Sequence, residues 1–212
     1  SPFNTNFVRI EGPGGIDLRT ELFAISGKLS TVALPTPLMP QRSTYSRHTE
    51  NGDLRAQQDI FVMAPPPPAS VTLTSQTPNL SLTEANATGA WYAQSALNPA
   101  AGTIVTLTAD NSVAIPTSSL TTRNVPLTDL VTITQAQYRL STGELTLVAS
   151  TSDETTPPVL TAHTGNGTLI GNLGGTGAVK TLSMSLSPIP PAKVQVTSAN
   201  GGSDTEDVVL VP

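Results

Sequence analysis

The sequence predicts an all-β protein in which two β-sandwich modules follow one another. Three observations lead to this fold class: the composition, the alternation of apolar and polar residues, and an internal repeat. Ser and Thr make up 52 of the 212 residues, Gly and Pro together another 35, and charged residues only 12%. This composition is typical either of a low-complexity linker or of an extracellular β-protein. The periodicity of the chain distinguishes these two classes.

Six short runs alternate apolar residues with small polar ones. They lie at 71–74, 80–83, 131–134, 145–147, 182–186 and 194–197. A period of two places the apolar side chains on one face of a strand and the hydroxyl groups on the other. Turn sequences such as Asn51-Gly52 and Thr142-Gly143 separate the runs. The chain is therefore predicted to be folded and to consist almost entirely of strands.

An internal repeat relates residues 41–128 to residues 129–212. In each copy a strand with a tyrosine, Tyr45 or Tyr138, leads into a glycine turn, an acidic residue and a leucine that opens the next strand. A proline cluster and a further strand follow in both copies. Each copy has about 85 residues and about seven short strands, which is the size of one β-sandwich. The equivalent positions of the two tyrosines predict that both are core residues.

The second copy resembles a known group of modules. Residues 131–153 (VTITQAQYRLSTGELTLVASTSD) and residues 191–211 (PAKVQVTSANGGSDTEDVVLV) are similar to the opening and closing strands of Ig-like or fibronectin-III-like modules. Such modules occur in tandem in secreted or cell-surface bacterial proteins. The resemblance implies two tandem Ig-like sandwiches and an extracellular or cell-surface location. It implies no activity, because these modules serve as spacers, stalks, adhesins and enzyme appendages.

Residues 1–40 match neither copy and form a strand-bearing N-terminal segment. Forty residues with two strand-like pieces are too few for a core of their own. Three arrangements stay open: the segment packs on the first module, completes a neighbouring chain, or is the end of an upstream domain. The connection between the two modules is short, contains a proline and lacks a flexible Gly/Ser tether, which predicts a stiff, rod-like pair.

The sequence lacks the patterns that carry most enzyme chemistry. It has no cysteine and only two histidines, and no P-loop, nucleophile elbow or zinc-binding helix motif occurs. We therefore expect no enzyme activity and no cofactor. Ten cationic residues against fifteen anionic ones argue against nucleic acid as a partner, and no apolar run is long enough to span a membrane. No basic, apolar leader opens the chain, so we expect any signal peptide to have been removed.

Two groups of residues are candidates for binding. Trp91 and Tyr92 are adjacent, so in a strand one side chain belongs to the core and the other faces the surface, where it is a candidate ligand residue for a polysaccharide. The acidic residues Asp204, Glu206 and Asp207 are weak calcium candidates. Calcium needs six to eight oxygen ligands, and alternation along a strand brings at most two of these carboxylates onto one face. The simpler interpretation is that these charges keep a turn or a sheet edge soluble.

Two functional hypotheses follow. The first is a non-enzymatic structural or adhesive protein that associates with itself or with neighbouring domains of a longer chain. In its sharper form, the N-terminal segment donates a strand to the next copy, and subunits join head to tail into a fibre. The residues of that assembly strand would be Phe7, Val8, Ile10, Phe23 and Ile25. The alternative is an accessory carbohydrate-binding or spacer module of a larger secreted enzyme.

Overall fold

The computed structural model describes residues 8–12, 14–20, 33–186 and 189–212. The chain divides into two compact units, residues 1–33 and residues 34–212. Every regular element of the described residues is a β-strand, which confirms the all-β prediction. In the same residues, no helix has the length and hydropathy needed to cross a membrane.

The first unit contains a β-hairpin of β1 (Val8–Gly12) and β2 (Ile16–Thr20), paired antiparallel from Val8 opposite Thr20 to Gly12 opposite Ile16. Its two faces differ in chemistry, because side chains alternate along each strand. One face carries exposed apolar side chains. These are Val8, Ile10, Ile16 and Leu18. The other face is charged, and Arg9 there donates two hydrogen bonds to the carboxylate of Asp17, at 2.7 and 2.8 Å.

The first module is a sandwich of two sheets. Its strands are β3 (Leu34–Pro35), β4 (Met39–Glu50), β5 (Asp53–Met63), β6 (Ser70–Leu73), β7 (Leu80–Ser81), β8 (Thr83–Glu84), β9 (Ala90–Ser95), β10 (Ile104–Asp110), β11 (Ser118–Ser119), β12 (Thr121–Pro126) and β13 (Thr128–Asp129). One sheet has the order β13-β4-β5-β9-β8 and the other β12-β10-β6-β7, with β3 and β11 pairing separately. The buried side chains between the two sheets form one cluster, which extends from Leu38 to Leu127.

The second module repeats this plan. Its strands are β14 (Val131–Arg139), β15 (Glu144–Thr151), β16 (Leu160–Thr164), β17 (Leu169–Asn172), β18 (Val179–Ser185), β19 (Lys193–Ser198), β20 (Ser203–Asp207) and β21 (Val209–Val211). The sheets have the orders β18-β15-β14-β21 and β17-β16-β19-β20. A second buried cluster, from Val131 to Val196, fills the space between them.

The strand order is that of an Ig-like sandwich. In the second module the first, second, fifth and eighth strands share one sheet, and the third, fourth, sixth and seventh strands share the other, so the connections cross between sheets. The first module has the same order when β4, β5, β9 and β13 are matched to β14, β15, β18 and β21, with β8 as an additional edge strand next to β9. Two tandem Ig-like sandwiches are thus present, as predicted. The boundaries drawn at residues 40 and 128 remain predictions.

Tyr45 and Tyr138 are both buried, on β4 and β14 respectively. The position of Tyr138 depends on a β-bulge between Ile133 and Gln135. Ile133 and Tyr138 are five residues apart, an odd separation that would place them on opposite faces of a regular strand. The extra residue in the bulge restores the side chains beyond it to the core face.

Candidate functional site

The two adjacent aromatic residues on β9 have opposite environments. Trp91 is buried in the first core, and its indole N–H donates to the carbonyl oxygen of Pro65 at 3.2 Å. Tyr92 is 36% exposed. The alternation predicted for this pair is therefore present, and Tyr92 is the member that a ligand can reach.

Tyr92 belongs to a polar and aromatic surface on the outer side of the five-stranded sheet. We call it the Tyr92 face; its members are Arg42, Gln57, Asp59, Phe61, Tyr92 and Gln94. Strand register places Arg42 opposite Phe61 and Phe61 opposite Tyr92. The ring centroids of Phe61 and Tyr92 are 4.8 Å apart at an interplanar angle of 37°. The guanidinium carbon of Arg42 lies 4.3 Å from the centroid of the Phe61 ring. The result is a row of one cation and two aromatic rings across three strands, which we call the aromatic row.

Asp59 organises the polar part of this face. Its carboxylate accepts hydrogen bonds from the hydroxyl of Tyr92 at 2.8 Å and from the amide of Gln57 at 2.9 and 3.1 Å, and a longer one from Gln94 at 3.4 Å. The hydrogen bond to Asp59 raises the pKa of Tyr92, because ionisation of the phenol would lose that bond. The tyrosine therefore stays a donor at neutral pH, and its ring is held in one orientation.

A groove borders the Tyr92 face where β9 ends. It has a volume of about 330 Å³ and is lined by residues 76–80 and 94–97. Gln94 belongs to both surfaces, since it lines the groove and also donates to Asp59. An extended ligand lying on the aromatic row can continue along this groove.

A second arrangement of functional residues lies where the two modules meet. We call it the joint; its central residues are Tyr45, Arg47, Asp153 and Asn200. Arg47 forms two hydrogen bonds with the Asp153 carboxylate, from Nε at 2.7 Å and from Nη2 at 2.6 Å. The Asp153 side chain is fully buried and that of Arg47 is only 12% exposed. The ion pair therefore connects β4 of one module to the loop after β15 of the other, away from bulk water.

Further contacts complete the joint. The hydroxyl of Tyr45 donates to Asp153 at 3.1 Å and accepts a hydrogen bond from the amide of Asn200 at 2.9 Å. Backbone groups contribute as well, since Arg47 N donates to Ser152 O at 3.0 Å and Glu154 N donates to Arg47 O at 2.9 Å. The Asp153 carboxylate also accepts a hydrogen bond from Thr156 N at 3.0 Å. It thus has charged, hydroxyl and backbone partners, which is the condition for keeping a charge out of water.

The ionisation of Asp153 and Tyr45 follows from these contacts. Burial opposes the charged form of Asp153, but hydrogen bonds from Arg47, the backbone of Thr156 and Tyr45 outweigh it and lower its pKa. Burial, and to a smaller extent the negative charge of Asp153, raises the pKa of Tyr45 to about 12. At neutral pH the joint therefore contains an ionised carboxylate, a guanidinium and a protonated phenol.

The raised pKa of Tyr45 predicts a loss of stability in alkali. In the unfolded chain this phenol ionises near pH 10, whereas in the folded protein it keeps its proton up to a pKa of about 12. The contribution of Tyr45 to the free energy of unfolding is therefore complete below pH 10 and falls as the pH rises towards 12. Urea unfolding at pH 8 and pH 11.5 should show a larger loss for the wild type than for Tyr45→Phe. Equal losses would contradict the raised pKa.

The calcium candidates occupy the end of the second module. Asp204 is engaged with its own chain, since Oδ2 accepts a hydrogen bond from Ile133 N at 2.7 Å. Asp207 forms an ion pair with Lys193 at 2.6 Å. The side chain of Glu206, on the same strand, is exposed. In the described residues, no group of three or more acidic or histidine side chains could hold a metal ion. The acidic residues on β20 fit the alternative interpretation, a charged and soluble sheet edge.

The residues proposed for an assembly strand are described only in part. Val8 and Ile10 lie on β1, on the apolar face of the hairpin. Phe7, Phe23 and Ile25 lie outside the described residues. Strand donation to a neighbouring copy therefore stays a prediction, with the hairpin as its structural basis.

Neither the joint nor the role of Arg42 was evident from the sequence alone. Arg47 and Asp153 are 106 residues apart, and no sequence pattern relates one to the other. Arg42 and Phe61 are on strands whose register is displaced by a bulge between Pro40 and Arg42. The alternation of residues along one strand does not reveal such a bulge, so the sequence did not predict that Arg42 and Phe61 are neighbours. The internal repeat identified Tyr45, but as a core residue only.

Comparison with known proteins adds similarities of fold. No family model matches the sequence, and no curated protein matches it. The chain is similar to the ectodomain of the teleost fish polymeric Ig receptor, with 7% identity, a TM-score of 0.33, and coverage of 81% of this chain and 98% of that one. It is also similar to fibronectin(III)-like modules of Clostridium thermocellum CbhA, with 12% identity, a TM-score of 0.27, and coverage of 72% and 84%. The assignment to Ig-like sandwiches rests on the strand order of the chain itself.

Proposed function

We propose that this chain is a non-enzymatic structural segment of a secreted or cell-surface protein, in which the joint holds the two Ig-like modules as one rigid unit. The observation that carries the proposal is the buried ion pair between Arg47 and Asp153, whose partners come from both modules. A pair of modules with fixed relative orientation can act as a spacer or stalk that presents neighbouring domains at a defined distance.

The connection between the modules supports the same conclusion. Thr128 and Asp129 form β13, which pairs with β4 of the first module. The Asp129 carboxylate then accepts hydrogen bonds from Thr151 and from the backbone of Gly202, both in the second module. The connecting residues are therefore part of both sandwiches, which leaves little freedom for bending between them.

NMR relaxation of the full chain tests this rigidity. We expect backbone amides of β5 and β15 to report the same rotational correlation time, because the joint makes the two modules tumble together. Separate and shorter times for the two modules would contradict the proposal.

We propose further that the N-terminal hairpin mediates association of one copy with the next. A two-stranded hairpin has little stability by itself, and this one presents four exposed apolar side chains on a single face. Burying that face against a neighbouring copy would stabilise both partners. Strand addition at a sheet edge would join the copies head to tail, in a contact that need not close into a ring.

Removal of the hairpin tests the assembly proposal. We expect the full chain to form larger species as its concentration rises, and a chain starting at residue 34 to remain monomeric, as measured by light scattering. The double variant Ile10→Ser/Leu18→Ser should behave like the truncated chain, whereas Glu11→Gln on the charged face should not. A full chain that stays monomeric at every concentration would contradict the proposal.

Binding of a carbohydrate is a second candidate function, and the Tyr92 face is the observation that favours it. An exposed aromatic ring held by a hydrogen bond offers a flat apolar surface beside polar groups, which is the chemistry that sugar rings require. We expect Tyr92→Ala to reduce binding to an oligosaccharide at least tenfold. Ile104→Ala, which removes an exposed apolar side chain from the other sheet of the same module, should leave binding unchanged. A Tyr92→Ala variant that binds like the wild type would contradict this function.

A further inference from the structure

We propose that the Tyr92 face binds an acidic sugar, with Arg42 as the group that recognises the sugar carboxylate. The inference rests on the second candidate function above and specifies its ligand class. It is carried by the position of Arg42 in the aromatic row and by the absence of an anionic partner for it in the described part of the chain.

The guanidinium of Arg42 is positioned but not neutralised. It lies against the Phe61 ring, with 4.3 Å between the guanidinium carbon and the ring centroid. Contact of this kind orients a guanidinium without using its N–H donors in hydrogen bonds. Among the residues that the structure describes, no carboxylate forms an ion pair with the guanidinium of Arg42, and no acceptor forms a hydrogen bond with the N–H groups of that guanidinium. Its donors are therefore available to a ligand.

The nearest strand neighbours explain why Arg42 has no ion-pair partner in the described part of the chain. The carboxylate on this face belongs to Asp59, which is already bound by Gln57, Tyr92 and Gln94. Asp59 lies opposite Thr44 rather than opposite Arg42 in the register of β4 and β5. Within residues 8–12, 14–20, 33–186 and 189–212, the carboxylate of this face is thus paired with neutral donors and its guanidinium has no ion-pair partner, although the protein as a whole has a net charge of −5.

These features match the two sides of a uronic acid. The apolar C–H face of a sugar ring packs on an aromatic ring, and Tyr92 and Phe61 provide that surface. A carboxylate at the edge of the sugar ring meets a guanidinium, which binds carboxylates with two parallel hydrogen bonds. Arg42 lies at one end of the aromatic row and Gln94 near the other, beside the groove at the end of β9. A chain of sugar residues can lie across the row, with one acidic residue at Arg42.

A titration of the full chain with three matched oligosaccharides tests the inference. The ligands are an oligogalacturonate, its methyl ester and a neutral oligoglucan of the same length, and binding is followed by the amide shifts of Phe61 and Tyr92. We expect the oligogalacturonate to bind at least tenfold more tightly than its ester. Arg42→Ala should abolish this preference, and Arg42→Lys should restore only part of it. Arg139→Ala, which removes an exposed cation from the second module, should change nothing.

The outcomes separate the inference from the function on which it rests. Equal binding of the acid and its ester, or an Arg42→Ala variant that keeps the preference, would overturn the acidic ligand while carbohydrate binding remained. An equal affinity for a sulfated oligosaccharide of the same length would overturn recognition of a carboxylate in particular. Absence of binding to every oligosaccharide, with amide shifts unchanged at the Tyr92 face, would overturn both.

Discussion

We expect Asp153→Ala to lower the free energy of unfolding by about 3 kcal/mol. The variant removes the acceptor for two hydrogen bonds from Arg47 and leaves a largely buried guanidinium without a counter-charge. Loss of one partner from a buried ion pair costs more than the pair itself contributes, because the remaining charge stays desolvated. Urea unfolding, followed by circular dichroism at pH 7, measures the change.

Glu154→Ala is the matched control for this substitution. Glu154 is the next residue along the chain, and its exposed side chain lies outside the joint, although its backbone N–H donates to Arg47. Its replacement should change the unfolding free energy by less than about 0.5 kcal/mol. If Asp153→Ala were as small in effect as Glu154→Ala, the joint would not stabilise the protein, and the rigid unit would need another explanation.

The second large effect is expected for Leu147→Ala. Leu147 is completely buried on β15, and its truncation should cost about 2–5 kcal/mol through lost burial and the cavity that remains. Trp91, the only tryptophan in the sequence, lies in the other module and reports on that module alone. If the joint couples the modules, Leu147→Ala should shift the unfolding transition seen by Trp91 fluorescence, even though the substitution is in the other core.

The double variant Leu147→Ala/Asp153→Ala shows whether the joint transmits this effect. We expect its Trp91 transition to move back towards that of Asp153→Ala alone, while circular dichroism resolves an earlier transition of the second module. Leu107→Ala, in the first core, is the positive control because it acts on the module that contains Trp91. A Trp91 transition unaffected by Leu147→Ala in the otherwise intact chain would show that the modules unfold independently.

The alternation of apolar and small polar residues predicted the positions of β6, β14, β15, β18 and β19, whereas the run at 80–83 is divided between β7 and β8, which lie in different sheets. Val194 and Val196 are completely buried while Thr197, on the opposite side of β19, is partly exposed, as a period of two requires. The repeat of Tyr45 and Tyr138 predicted two similar modules, because equivalent positions in two sandwiches each face the core of their own module. These predictions succeeded because they depend on local geometry, which residues close in sequence determine.

The Tyr92 face was predicted only in part. Adjacent residues on a strand face opposite ways, so either Trp91 or Tyr92 had to be exposed, and the burial of Trp91 decided which. The positions of Arg42 and Phe61 next to Tyr92 depend on strand register, on a bulge and on which strands become neighbours in the sheet. None of these can be derived from one strand considered alone.

The sequence by itself determined the class of fold, the repeat and the lack of the usual catalytic motifs. Only the tertiary structure decided that Arg47 meets Asp153, that Asn200 reaches Tyr45, and that the Arg42 guanidinium lies over the Phe61 ring with no ion-pair partner among the described residues. The physical reason is the range over which each property acts. Alternation depends on neighbours along the chain, whereas a buried ion pair or a row of side chains across three strands depends on segments that packing brings together from distant parts of it.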